Sequence, residues 1–327
     1  MKVIIITEAG PSIGFGHLAR CSAIYEAFKE VVSNVSIVLL EGSFEQAINV
    51  FKGVNLVDGQ NDRERVLNSI DKEDVILIDS YLCGVEFYGK VYRRAGLLVS
   101  IDDFCRIGYP GGIVLNGLIY ADILDYPTEK DVKYLLGKQY VLLRKAFWVT
   151  GRRHFNKEIQ NVLLTFGGSS AVNNLMKDMI DMLLEMYSFN IHAVSNGPSF
   201  GDVKSDGRLK VSSGLNAGDM KTAMENCDLC ISGGGTTIHE LAVTGTPTIG
   251  ICFSDNQEMH LREWKKAGFV YDIGWFNSKD ILNKVKIVLE KMDESVRIKV
   301  SNKGKELIDG LGARRVVEEV VKCHGGI

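Results

Sequence analysis

The chain has 327 residues, 46% of them hydrophobic and 24% charged, with a formal net charge of −3, which is the profile of a soluble globular protein with two domains. It has no global basic field to draw in nucleic acid and no run of like charge that would act as a tail. No apolar run approaches the ~20 residues that span a bilayer, the first one is too short for a secretory core and is ended by Glu8, and seven cysteines, an odd number, read as reduced thiols of a cytoplasmic protein.

The first element is "VIIIT", a short β-branched run that predicts a strand. "GPSIGFGHLAR" follows at 10–20, with three glycines, a proline and then His17. Beyond it, Leu18, Cys21, Tyr25 and Phe28 recur at helical spacing and share one buried face. "VSIVLL", "VNLVD", "VILID", "LLVSID" and "IVLNG" come next. These runs are nearly all apolar rather than alternating, as expected of strands buried on both faces. With helical segments between them they form βαβ units around a parallel sheet.

The stretch "RKAFWVTGRRHFNKE" fits neither period and reads as a solvated connector that carries Arg152, Arg153 and Lys157. The expected division is a first domain over 1–147, a linker over 148–157 and a second domain over 158–327. In the second domain "VLLTFGG", "IHAVSN", "LKVSSG", "LCISGG", "PTIGICF" and "VYDIG" repeat the strand pattern. "NNLMKDMIDMLLEMY", "NAGDMKTAMEN" and "TTIHELAVTG" are the helices between them. After residue 278 the pattern is only helical. Cys227 and Cys230 have the spacing of half a zinc site, but no second such pair exists, so they read as small buried residues at a helix-to-strand junction.

Three glycine turns each follow an apolar strand and precede a helix. They contain Gly14 and Gly16; Gly167, Gly168 and Ser169; and Gly233, Gly234, Gly235, Thr236 and Thr237. Open backbone amides at a helix N-terminus bind anions, and glycine lets a ligand approach the backbone. One such turn is weak evidence, because tight turns need glycine structurally. Three of them point to a phosphate-bearing ligand in a cleft between the domains. The first is neither a dinucleotide fingerprint, since Ala19 holds the third glycine position, nor a P-loop, since no Gly-Lys-Ser/Thr follows. Glu240 falls in the first turns of its helix, where a carboxylate either accepts ribose hydroxyls or complements the helix dipole. Ser254 or Asp255 caps the next helix, which places Asn256 and Gln257 toward the cleft.

"GFGHLARC", "IDSY", "SIDD", "VLNG", "YLLGKQYVLLRKAF", "LLTFGGSS", "ISGGGTTIHELAVTGTPTIGI", "DNQ" and "DGLGARRV" run in order through nearly the whole chain. They resemble the UDP-sugar hydrolase family of the pseudaminic acid pathway. More distantly, the "GxGH" loop and "GGGTT…E…G.P" resemble the muramyl-pathway glycosyltransferase that makes lipid II. The resemblance implies an α/β fold of the GT-B type, with two Rossmann-like domains whose parallel sheets face a central cleft and a helical C-terminal extension. It implies hydrolysis of a UDP-linked diacetamido-trideoxy hexose at the anomeric carbon. UDP and the free sugar would be released for nonulosonic acid synthesis and surface glycans, alongside other enzymes of that pathway. It implies no obligate metal and no cofactor. It makes His17 and Tyr81 catalytic, Glu240 the uridine and ribose grip, and Asn256 and Gln257 a further substrate contact.

Histidine titrates near neutral pH, so His17 after a glycine turn, exposed at the cleft, can act as a general base for water. The bland alternative is a histidine that only hydrogen-bonds the ligand. UDP leaves as a stable anion and needs charge stabilisation rather than a general acid. Asp79, Asp102 and Asp103 end strands at the cleft edge and read either as orienters of His17 or as loop caps. His239 reads as packing, and His260 faces the cleft or packs. Two alternatives to hydrolysis stay open at this level: a GT-B glycosyltransferase using a UDP-sugar donor, and a non-catalytic nucleotide-sugar binder.

Overall fold

A computed structural model describes residues 2–10, 14–51, 53–166, 172–195 and 207–325. Contacts divide the chain into two units, one of Met1–Trp148 with Gly310–Ile327 and one of Val149–Asp309.

The first unit holds strands β1 (Val3–Ala9), β2 (Val35–Gly42), β3 (Leu56–Asp58), β4 (Val75–Asp79), β5 (Leu97–Ile101), β6 (Gly112–Asn116) and β7 (Val132–Leu136). Its helices are α1 (Gly16–Phe28), α2 (Phe44–Val50), α3 (Arg63–Asn68) and α4 (Val85–Arg94). The sheet is parallel, with order β3-β2-β1-β4-β5-β6-β7. Strand order therefore reverses between β1 and β4, and such a switch point opens a crevice at the carboxyl ends of those two strands. The runs of β1, β4, β5 and β6 are buried on both faces as expected, but "VNLVD" forms edge strand β3, where Val57 is exposed; Leu18, Cys21, Tyr25 and Phe28 all lie in one core with Ile5, Ile37 and Leu77.

The second unit holds β8 (Asn161–Thr165), β9 (Asn190–Ser195), β10 (Leu209–Ser213), β11 (Leu229–Gly233), β12 (Thr248–Cys252) and β13 (Val270–Trp275). Its helices are α5 (Val172–Met186), α6 (Ala217–Asn226), α7 (Thr237–Thr244), α8 (Asp255–Lys266), α9 (Ile281–Leu289) and α10 (Glu294–Leu307). This sheet is also parallel, with order β10-β9-β8-β11-β12-β13. Its switch point lies between β8 and β11. Cys227 and Cys230 are buried where α6 hands over to β11, and both are free thiols.

One expectation about the connections is corrected. The last helix, α11 (Gly312–His324), belongs to the first unit rather than to a second domain running to 327. Its Ala313, Val316, Val317 and Val320 are buried in the core that contains α1 and β5. Each buried valine contributes on the order of 1.5–3 kcal/mol, so the helix is a structural part of that core.

The connector after Trp148 is mostly exposed, as expected of a solvated segment, but it is anchored to the second unit. Arg153 Nη1 donates to Met224 O at 2.9 Å and to Thr246 Oγ1 at 3.0 Å, and burial lowers the affinity of this guanidinium for its proton. Arg297, fully buried, donates to the carbonyls of Asn156 at 2.7 Å and Lys157 at 2.9 Å. Two connector carbonyls thus find one buried cation, and Arg153 ties the segment to the second unit from its own side.

Candidate active site

In the first unit the chain leaves β1 through Glu8 and Ala9. Gly10 and Gly14 then pair across the turn, with Gly14 N donating to Gly10 O at 2.6 Å and Gly10 N to Gly14 O at 3.1 Å. Gly14 has φ +84°, a conformation that glycine adopts without steric cost. At Gly16, by contrast, neither φ nor neighbours demand glycine, because an added Cβ would meet nothing within 4 Å. The space beside the start of α1 is open.

His17 is the second residue of α1, so it shares a face with Arg20 and Cys21 at i+3 and i+4. That face meets the carboxyl end of β4. His17 Nδ1 lies 2.6 Å from Asp79 Oδ1. Arg20 Nε donates to Asp79 Oδ2 at 2.5 Å and its Nη2 to Asp79 Oδ1 at 2.6 Å. Arg20 Nη1 reaches both oxygens of Asp103, at 2.7 and 2.8 Å. Burial pushes the Asp79 carboxyl toward protonation, but Arg20 and His17 outweigh it and hold the group well below the usual carboxylate range. Asp103 is likewise lowered, its burial outweighed by Arg20.

An ionised Asp79 at 2.6 Å must accept, so Nδ1 carries the hydrogen. The 3.1 Å approach of Arg20 Nη2 to the same nitrogen is then a crowded contact rather than a second bond. In the neutral imidazole this tautomer leaves Nε2 with its lone pair, and among the described residues Nε2 has no hydrogen-bond partner. The expected exposure of His17 is corrected: the residue is 8% exposed. Tyr81 covers it edge-on, with ring centroids 4.5 Å apart.

Tyr81 is held at both ends. Its N–H donates to Glu8 Oε1 at 2.9 Å and its hydroxyl donates to Asp103 Oδ2. Burial, with Asp103 next, pushes the phenol far above its ordinary range. The hydroxyl is committed to a carboxylate, and the residue stays 37% exposed. Ser80 donates its hydroxyl to Glu8 and accepts the N–H groups of Leu82 and Cys83, both at 3.0 Å.

Asp102 is the loop cap among the three strand-end aspartates. It accepts the hydroxyls of Tyr109 at 2.9 Å and Tyr126 at 2.5 Å, and the N–H of Cys105 at 2.6 Å. Arg106 then ties this loop to the carbonyls of Ser80 and Cys83, both at 3.1 Å. Glu8 and Arg20 were not picked out by the sequence reading. The i, i+3 spacing from His17 was the available signal for Arg20.

In the second unit the turn after β11 enters α7. Gly234 is clamped: its N–H donates to Ile251 O at 3.0 Å and to Gln257 Oε1 at 3.1 Å, and its carbonyl accepts from His260 Nδ1 at 2.8 Å. Trp264 donates to His260 Nε2 at 2.8 Å, which fixes that tautomer. His260 therefore supports the turn from beneath, buried beside His239, and does not line an opening. The Gly234 amide is spent on the protein, and a side chain there would strike Leu261 at 2.7 Å.

The N–H groups of Gly235, Thr236 and Thr237 meet no acceptor among the described residues. An added Cβ at Gly235 would meet only the Gln257 amide, at 3.9 Å. Those three amides form the open N-terminus of α7, with half-buried Glu240 on its first turn. Gln257 Oε1 also accepts Phe253 N–H at 3.0 Å, so its carbonyl shapes the turn. Asn256 is exposed and accepts from Ser254 Oγ at 2.5 Å. Ser254 holds the N-cap position of α8 without a side-chain cap bond. Gly167, Gly168 and Ser169 lie outside the described residues. Among the described residues, no helix is long and apolar enough to cross a membrane.

Residues 162–306 match the glycosyltransferase family 28 C-terminal domain. A crystal structure of MurG from Acinetobacter baumannii superposes with a TM-score of 0.65 over 98% of this chain and 100% of that one, at 12% identity. The chain has the GT-B fold. A UDP complex of MnaA from S. aureus gives a TM-score of 0.64 at 12% identity, over 98% of this chain and 96% of that one.

Three curated proteins are homologues. An uncharacterized protein of Methanocaldococcus jannaschii is 25% identical over 83% of this chain and 62% of its own length. A Helicobacter pylori protein named pseudaminic acid cytidylyltransferase and UDP-2,4-diacetamido-2,4,6-trideoxy-beta-L-altropyranose hydrolase is 25% identical over 82% of this chain. The chain spans 47% of that protein's length. A Campylobacter jejuni protein named for the hydrolase alone is 21% identical over 82% of this chain and 98% of its own length.

Proposed function

We propose that the protein is an enzyme acting on a UDP-sugar, and that it hydrolyses a UDP-linked diacetamido-trideoxy hexose at the anomeric carbon. The observation that carries this reading is the His17–Asp79 pair, which presents an imidazole lone pair at a parallel-sheet switch point. In this reading Nε2 takes a proton from water as the water oxygen bonds to C1. The bond from C1 to the phosphate oxygen breaks, and UDP leaves with that electron pair. The leaving anion is stabilised by the amides of Gly235, Thr236 and Thr237 and the dipole of α7, while Glu240 accepts the ribose hydroxyls. The names of the Helicobacter and Campylobacter homologues support the choice of sugar.

Tyr81 enters this reaction through its ring, which bounds the space beside His17, and not as a proton carrier. A second reading, glycosyl transfer, is favoured by the family 28 match and by the likeness to MurG. UDP release from a panel of UDP-amino sugars, with and without acceptors, separates the two. Hydrolysis predicts release from the diacetamido-trideoxy donor in water alone. A strict requirement for an acceptor would move the assignment to a transferase.

A further inference from the structure

We infer that Arg20 is a positioning residue, whose guanidinium joins the His17–Asp79 pair and the Tyr81–Asp103 pair into one ion-paired unit. The inference deepens the proposed reaction and rests on that reading for its kinetic part only. Four charge-assisted contacts converge on this one side chain of α1, from two other elements: β4 and the loop after β5. Asp79 and Asp103 are almost fully buried, at 0% and 6% exposure. Two buried carboxylates cannot both stay ionised beside each other without a cation between them. Only a planar fork can serve both at once, because it offers donors in two directions.

The consequence for His17 is geometric. Asp79 receives Nδ1 on the same oxygen that Arg20 Nη2 holds, so the carboxylate cannot swing away from the imidazole. The consequence for Tyr81 is parallel. Its hydroxyl donates to the Asp103 oxygen that Arg20 Nη1 also holds, which keeps the ring against His17. The titratable groups that face Arg20 or its partners are His17 and Cys21 on α1, Asp79 on β4, Tyr81 after β4, Asp103 after β5, and Glu8 on β1 through Ser80 and Tyr81. Among the described residues Arg20 is, His17 apart, the one cation whose side chain is shown bonding Asp79 and Asp103.

The sign of the pH dependence follows. In the parent chain both aspartates are held low. Their contribution to stability is therefore complete above the ordinary carboxylate range and is lost as pH falls through their lowered values. Removing Arg20 leaves negative charge that only a bound proton can offset, whether on a carboxylate or on His17. Either choice raises a folded-state proton affinity, so the variant is penalised more as pH rises.

The test compares Arg20→Met, Arg20→Lys and the parent by thermal unfolding from pH 4.5 to 8, together with steady-state kinetics on the UDP-sugar that the parent turns over. Arg20→Met should lose melting temperature at all pH values. The gap to the parent should widen by about 5 °C or more between pH 4.5 and 8. Arg20→Lys keeps a charge but not the fork. It should largely restore the pH dependence of stability while kcat stays about 10- to 100-fold low, with KM within about threefold of the parent.

A melting gap that is the same at every pH would reduce Arg20 to a space-filling role. Full restoration of kcat by lysine, or an effect confined to KM, would overturn the positioning role. The unfolding arm needs no substrate. A parent that released no UDP from any UDP-sugar would count against the hydrolase reading, while the ion-pairing claim would still be decided.

Discussion

At the scale of single residues, His17 combines two properties that rarely meet. It is buried, yet one ring nitrogen is left unpartnered among the described residues while the other is fixed by Asp79. Replacing it with asparagine should leave folding and UDP binding intact and lower turnover by about 10²- to 10⁴-fold, the usual worth of a general base. Circular dichroism and UDP titration supply the controls, and near-normal turnover would remove His17 from the chemistry. Glu240→Ala addresses the other half of the reaction. Losing charge-assisted bonds to ribose should weaken UDP binding by about 10- to 100-fold, read by calorimetry. Unchanged affinity would return Glu240 to its alternative role as an acid that complements the α7 dipole.

At the scale of elements, the strands and most helices could be read from the sequence because apolar β-branched runs and helical spacing were both strong. Leu18, Cys21, Tyr25 and Phe28 are a direct case, since each is buried on the face that their spacing indicated. The placement of α11 could not be read in the same way. Its Val316, Val317 and Val320 announce a buried stripe, but periodicity does not say which core receives it. The structure puts them against α1 and the first sheet. Gly312 is where this packing is tightest, because a Cβ there would sit 2.1 Å from the Val141 carbonyl oxygen. Gly312→Ala should therefore destabilise the first unit by on the order of 1–3 kcal/mol, with UDP affinity retained. If thermal unfolding showed no loss, α11 would be packed less closely than described.

The candidate site was legible in outline for a related reason. Motif residues such as His17, Tyr81 and Glu240 stand next to glycine turns and strand ends, and those can be seen in a sequence. The partners that define their chemistry are brought together from distant positions. Asp79 reaches His17 across 62 residues and Arg20 reaches Asp103 across 83. Gln257 has a role the sequence does not show: its carbonyl holds the Gly234 and Phe253 amides.

At the scale of the whole molecule, the proposed base lies in the first unit and the proposed nucleotide grip in the second, and the central claim is which bond breaks. Turnover in water enriched in heavy oxygen tests that claim most directly. Attack at the anomeric carbon predicts UDP as the nucleotide product, the label on C1 of the released sugar, and inverted configuration at that carbon. Label on the nucleotide, or UMP in place of UDP, would mean attack at phosphorus and would contradict the account.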